Sequence, residues 1–140
     1  MQLKVKKLNP EAKLPQYAKS GDAGMDLFAL EEVILHPGDF AGVATGVALE
    51  IPHGYVGLMW DKSGLSIKYG LKTLGGVVDA GYRGEVKVGI INLSDQEYKI
   101  EKGHKVAQML IQKIENLEIT EVSELSETER GEGGFGSTGK

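Results

Sequence analysis

An all-β fold, a β-sandwich, jelly roll or barrel, is predicted by three features of the sequence. Apolar residues come in short runs, several alternating with polar ones at the two-residue period of a strand. Turn residues cut these runs roughly every 8–12 residues, the spacing of sandwiches and barrels. Glycine makes up 20 of the 140 residues, about twice its usual ~7% share. With many β-branched residues, that disfavours long helices. A chain of this length suits one domain with a modest core and is too short for two.

Each element follows from its own pattern. Leu3, Val5 and Leu8 alternate with Lys4, Lys6 and Lys7 as a first strand. Ala23-Gly-Met-Asp26-Leu opens another, with a lone carboxylate at its start. Val33–Leu35, Phe40–Thr45, Val47–Ile51 and Tyr55–Trp60 are apolar stretches bounded by Gly, Pro or Asp. Ser63–Tyr69 carries the single helix predicted, a turn or two between strands. Val77 and Val78 read as a buried strand that Asp79 interrupts before a Gly-rich turn. Glu85–Leu93 opens in clean alternation, and Lys105–Ile114 and Leu117–Val122 complete the set. Residues 1–122 are therefore expected to form the domain. Residues 123–140 change character: three glutamates precede RGEGGFGSTGK, which has five glycines in eleven residues and Phe135 as its one apolar anchor. By composition alone such a tail is a disordered end.

Several functions are excluded by composition. With no cysteine there are no disulfides, Cys nucleophiles or Cys-based zinc sites, which removes the zinc nucleobase deaminases. The three histidines are scattered, so no metal-ligand set is expected from side chains. A net charge of −4 argues against a nucleic-acid-coating surface. No apolar run approaches the ~18–20 residues of a membrane span, and the N-terminal segment lacks a signal-peptide apolar core. A cytoplasmic chain with no membrane partner is the expectation. Gly131–Gly136 satisfies G-x-G-x-x-G and Gly134–Lys140 the start of a P-loop. Both need a helix to follow, and the sequence ends.

Chemistry has better candidates elsewhere. Asp61-Lys62-Ser63-Gly64 combines a cation, a hydroxyl and flexible backbone at a helix start, a set suited to phosphate oxygens; the plainer alternative is an N-cap. In Gly75-Gly-Val-Val-Asp79-Ala-Gly-Tyr82-Arg-Gly-Glu85, a carboxylate ends an apolar strand, which suits function or an ordinary β-turn. Tyr82 is either core-filling or a flat platform for a sugar or base. Lys105 and Gln108 lie three apart at a strand start.

Taken in order, AGMDLFA, KSGLS, GVVDAGYRGE, GHKVAQM and RGEGGFGSTG resemble the five motifs of the trimeric deoxyuridine triphosphatases (dUTPases), over nearly the whole chain. The resemblance implies a jelly-roll-like β-barrel, a homotrimer with shared active sites, and Mg²⁺-dependent hydrolysis of dUTP to dUMP and pyrophosphate. The metal is held mainly by the triphosphate. By position, Asp79 becomes the general base and Ser63 the partner of the oxygen between α- and β-phosphates. Lys62, Gly64 and Lys105 flank the phosphates, Gln108 contacts the α-phosphate or the water, and Lys87 joins the substrate contacts. Val77 and Val78 belong to the hairpin whose backbone reads uracil, and Tyr82 lies under the deoxyribose. Arg130, Gly136, Ser137 and Thr138 grip the γ-phosphate with Phe135 on the base, the tail closing over the nucleotide. Asp26 becomes a supporting carboxylate, pairing with Arg130 or with metal-bound waters.

This chain departs from the family pattern at Asp61-Lys62, where Pro-Arg is usual, at Lys105, where Arg is usual, and at Thr73, where many members read uracil with Asn. A lysine keeps the charge of arginine and loses its fork. Two other classes share the fold: the dCTP deaminases, which need a catalytic Glu absent from this third-motif pattern, and non-catalytic nucleotide-binding trimers, which Asp79, Ser63 and Arg130 argue against.

Overall fold

Alternation makes the strands. In β8 (Glu85–Asn92), Val86, Val88, Ile90 and Asn92 turn inward while Lys87 points to solvent. The computed structural model describes residues 1–134, which form ten strands and one helix. β1 (Lys4–Lys7), β4 (Phe40–Glu50), β8 and β6 (Leu71–Leu74) lie in that order in one antiparallel sheet. β2 (Met25–Phe28), β10 (Lys105–Lys113), β5 (Tyr55–Trp60) and β7 (Val77–Asp79) form a second. β3 (Val33–Leu35) and β9 (Tyr98–Ile100) make a two-stranded ribbon. Each four-stranded sheet keeps two edges, β1 and β6 or β2 and β7, so the expected barrel does not close; the all-β class stands.

The core lies between the sheets. Val43, Val88 and Ile90 from the first pack in one cluster with Leu27, Val106 and Met109 from the second. The buried polar side chains of Thr45, Thr73 and Asn92 are bonded as burial requires. Asn92, for instance, donates to the carbonyls of Leu35 and Gln96 and accepts from Ser94.

Three expectations need correcting. Phe40–Thr45 and Val47–Ile51 are one strand, β4, carrying a bulge: Ala44 faces Lys87 and Ala48 faces Glu85, so the register slips between them. Gly46 makes the bend at φ 69°, its N–H held 2.9 Å from Glu85 Oε1. Leu117–Val122 forms no strand. Its alternation is present, but Leu117, Ile119 and Val122 are exposed and no ladder among the described residues reaches them. Val77 and Val78 do form a strand, yet Val77 is 70% exposed, because β7 is a sheet edge and not the interior that an apolar pair suggests.

The helix α1 (Ser63–Tyr69) matches its predicted bounds, since Gly70 at φ 66° ends it with a left-handed cap. Its N-cap is Lys62, with no side-chain cap, so the N-cap role open to Asp61 or Ser63 is not used.

The bulge supplies a test. A Cβ on Gly46 would sit 2.9 Å from Ala12 Cβ and 3.1 Å from a Leu30 methyl, in a conformation that L-residues avoid. Gly46→Ala should cost about 1–3 kcal/mol, read as a lower urea midpoint at fixed protein concentration.

Candidate active site

The second sheet builds one side of the site. Asp26 on β2 faces Gln108 on β10, which faces Trp60 at the end of β5, so the three form a row across adjacent strands. Asp26 is 1% exposed. A carboxylate so buried needs cations, and two lysines reach it: Lys62 Nζ at 2.6 Å from Oδ1 and Lys105 Nζ at 2.7 Å from Oδ2. The Lys62 contact is a hydrogen bond; the Lys105 contact is an ion pair without hydrogen-bond alignment, leaving buried Oδ2 able to accept another donor. The partner suggested for Asp26, Arg130, lies elsewhere. It is exposed, and its Nε donates to Gly133 O at 2.8 Å within its own turn.

Gln108 Nε2 donates to the Asp61 carbonyl at 2.9 Å. Gly24 has no side chain because Gln108 fills the space: a Cβ there would meet Gln108 Oε1 at 2.5 Å. Gly24, Asp26, Asp61, Lys62 and Gln108 line a cleft of about 490 Å³. Ser63 is exposed at the first position of α1. Lys62, Gly64 and Lys105 line an adjoining hollow of about 260 Å³.

A second group gathers at the β7 hairpin. Val77, Val78, Asp79, Tyr82 and Lys87 line a hollow of about 270 Å³. The Tyr82 amide donates to Asp79 O at 3.1 Å, so the turn is there, and the Asp79 carboxylate is exposed beside it. The Tyr82 hydroxyl donates to Glu85 O at 2.9 Å and its ring covers Gly84, where any Cβ would collide with it. The ring is therefore fixed with one face in solvent.

The two groups do not meet within one chain. Asp79 is opposite Val56 on β5, whereas Gln108 is opposite Trp60, four residues along. Strand rise and spacing put Asp79 roughly 16 Å from Gln108.

Thr73 does not face either hollow as an open donor. It is 7% exposed, and its hydroxyl and amide both bind Asp61 Oδ1 at 2.7 Å. Sequence reasoning missed this role of Asp61. The available signal was a hydroxyl at an inward position of β6, which needs a buried acceptor. Phe135, Gly136, Ser137 and Thr138 lie outside the described residues.

One hollow lined by Lys62, Lys68 and Lys105 beside a serine at a helix start, and a second carrying an exposed carboxylate and an aromatic ring, define an all-β protein with a cationic site for an anion and a separate base. The dUTPase family model matches residues 10–139. The chain is 49% identical to the deoxyuridine 5'-triphosphate nucleotidohydrolase of Clostridium tetani, covering 99% of this chain and 97% of that one. It is 50% identical to the enzyme of the same name from Clostridium kluyveri, over 82% of each chain. Among solved structures, the dUTPase of Staphylococcus bacteriophage 80alpha with dUpNHpp superposes with a TM-score of 0.94 at 37% identity, covering 99% of both chains. The chain belongs to the dUTPase family.

Both key carboxylates titrate low. Burial pushes the Asp26 carboxyl up, and the two ammonium groups beside it outweigh that, holding it below its ordinary value. Burial also raises Asp61, and its bonds from the Thr73 amide, Lys72 and the Thr73 hydroxyl reverse the sign. A lowered folded value gives stability that is complete above the ordinary carboxylate range near 4 and lost as pH falls through the folded values. Urea midpoints should therefore drop below about pH 4, and the Asp26→Asn, Asp61→Asn double variant should lose part of that acid limb. An acid limb of undiminished depth in the double variant would contradict the assignment.

Proposed function

We propose that the chain is a dUTP diphosphatase, hydrolysing dUTP to dUMP and pyrophosphate by attack of water on the α-phosphorus, in a homotrimer whose sites are shared between subunits. The observation that carries the reading is the division of labour just described. A lysine-lined face around Asp26, and a hairpin bearing an exposed carboxylate and a fixed aromatic ring, each hold half of a nucleotide triphosphatase. Reacting groups must come within ~3–3.5 Å of one another. A separation of roughly 16 Å along and across the sheet therefore calls for a neighbouring copy to supply the second half. Exposed Val77, Trp60 and Phe40 suit such packing. Closed symmetry is the usual form of such an assembly.

In this site Asp79 accepts the proton of the attacking water while the new P–O bond forms. The bond from the α-phosphorus to the bridging oxygen breaks, and Ser63 donates to that oxygen as charge develops on it. Lys62 and Lys105 counter the phosphate charge, and Gln108 orients the α-phosphate or the water. Tyr82 lies under the deoxyribose and excludes a 2′-hydroxyl. The hairpin backbone at Val77 and Val78 reads the uracil, with Lys87 beside it. Residues 123–140 form a closing segment in which Arg130 and the Gly136-Ser137-Thr138 stretch meet the γ-phosphate and Phe135 the base. Removing dUTP keeps uracil out of DNA, the dUMP formed supplies thymidylate synthesis, and we place the enzyme in the cytoplasm. No helix of the described residues is long and apolar enough to cross a membrane.

A magnesium ion carried by the triphosphate would, when bound, neutralise phosphate charge. Among the described residues no group of three or more His, Asp or Glu could hold a metal. Buried Asp26 Oδ2, which has no hydrogen-bond donor among the described residues, would be the carboxylate to support such an ion through its waters. A dUTPase of Staphylococcus aureus phage phi11, 34% identical with a TM-score of 0.83, is described with a structural Mg(II) ion.

Two outcomes test the reading. Asp79→Asn keeps size and removes the base, so kcat on dUTP should fall by about 10²–10⁴-fold with dUMP affinity nearly intact; near-wild-type kcat eliminates Asp79 as base. Shared sites predict complementation. Asp79→Asn and Ser63→Ala subunits, each inactive alone, should regain activity when unfolded together and refolded as mixed oligomers, with about a quarter of the sites intact. Persistent inactivity, or a fully active 15 kDa species, would remove the shared-site trimer.

A further inference from the structure

Asp61 and Thr73 are separate departures from the family pattern in sequence, and the fold puts them in contact. Asp61 follows β5 and immediately precedes Lys62, Ser63 and Gly64. Its carboxylate turns away from α1. Oδ1 accepts from the Thr73 amide and from Thr73 Oγ1, each at 2.7 Å, and Oδ2 accepts from Lys72 Nζ at 2.9 Å. Its carbonyl points the other way and accepts from Gln108 Nε2 at 2.9 Å. One residue therefore ties the start of the phosphate loop to β6 in one sheet and to β10 in the other. The Thr73 hydroxyl, buried on β6, needs this acceptor. Once donated to Asp61, its proton is not offered to a base.

We propose that Asp61 is a positioning residue that braces the Lys62–Gly64 loop, and that Thr73 is its anchor on β6 and takes no part in reading the base. The proposal rests on the dUTP reading for what the loop binds. Charge-assisted bonds to a carboxylate are about twice as strong as neutral ones. Three of them fix Asp61, and with it the direction in which the chain enters α1. A small displacement of the residues around a leaving group is enough to cost ~10²-fold in rate. A proline at this position would stiffen the loop through its ring. Here polar cross-links to two sheets do the same task.

The decisive comparison uses Asp61→Ala, Asp61→Asn, Thr73→Val and the Ala/Val double variant of the full chain. Asp61→Ala should lower kcat on dUTP by roughly 10-fold or more with KM changed less than about threefold. Asp61→Asn, which keeps an acceptor for the Thr73 donors, should recover most of that loss. Thr73→Val should lower kcat in the same sense, and the double variant should be no worse than Asp61→Ala, since the two act through one contact. The dUTP-to-dCTP ratio of kcat/KM should stay within about twofold of wild type in Thr73→Val. Losses that multiply, or a dUTP-to-dCTP ratio that collapses in Thr73→Val and not in Asp61→Ala, overturn the proposal and return Thr73 to the base. Hydrogen exchange of the free protein gives a readout independent of substrate. The amides of Lys62–Ser66 should exchange faster in Asp61→Ala and Thr73→Val, with β8 unchanged, and unaltered exchange there also overturns it. Wild-type protein inactive on dUTP would instead remove the functional reading, with the exchange data still deciding the brace.

Discussion

The buried carboxylate of Asp26 is the constraint around which the active face is arranged. A charge removed from water must be paired. Its place on β2 beside β10 decides which cations can reach it. Lys105 comes from the start of β10 itself. Lys62 comes from the loop after β5, two strands from β2 in the same sheet. Meeting both demands draws the phosphate loop back over the sheet. It thereby sets where α1 starts and where Ser63 is presented. Gly24 follows from the same crowding, since Gln108 takes the space its side chain would need.

A second constraint is the sheet edge. β7 is an edge strand pairing only with β5 among the described residues, and while Val78 packs against the core, Val77 is left exposed. Exposed edges invite association, and proteins that keep them put a partner there. In the proposed trimer the same feature serves catalysis. The turn carrying Asp79 and Tyr82 leaves the sheet at this edge, where a neighbour can reach it.

Legibility in the sequence followed the range of the interactions. α1 was readable to the residue, because Gly70 supplies a local, left-handed stop. Alternation located β8, and an apolar run bounded by turn residues located β5. Such patterns failed where a strand depends on who pairs with it. Leu117–Val122 has the pattern and no partner, β4 absorbs a bulge at Gly46 that reads as a break, and Val77-Val78 looks buried and lies on an edge. Among site residues, Lys62, Lys105 and Gln108 were found as motif members, and the fold gathers them around Asp26 and its cleft. The lysine partners of Asp26 were not foreseen, because they lie 36 and 79 positions away in sequence and nothing local selects them. Asp61 with Thr73 is the same kind of long-range pairing, hidden behind a plausible N-cap.

The lysines at 62 and 105 make sense against this background. An arginine earns its affinity by a planar fork aimed at one acceptor pair, whereas a lysine is a point charge with three rotatable donors. Held by Asp26, each lysine keeps donors to spare, and both side chains remain partly open to solvent at 28% and 43%. With Lys68 they line a hollow that holds no carboxylate, in a chain whose overall charge is −4. The attraction for a polyanion is therefore local, and the carboxylate that neutralises half of it also orders two flexible side chains before substrate arrives. Ordering a lysine on binding costs about 2 kcal/mol of rotamer freedom. A clamp already tied at its base lowers that cost without the directional fork that arginine would bring.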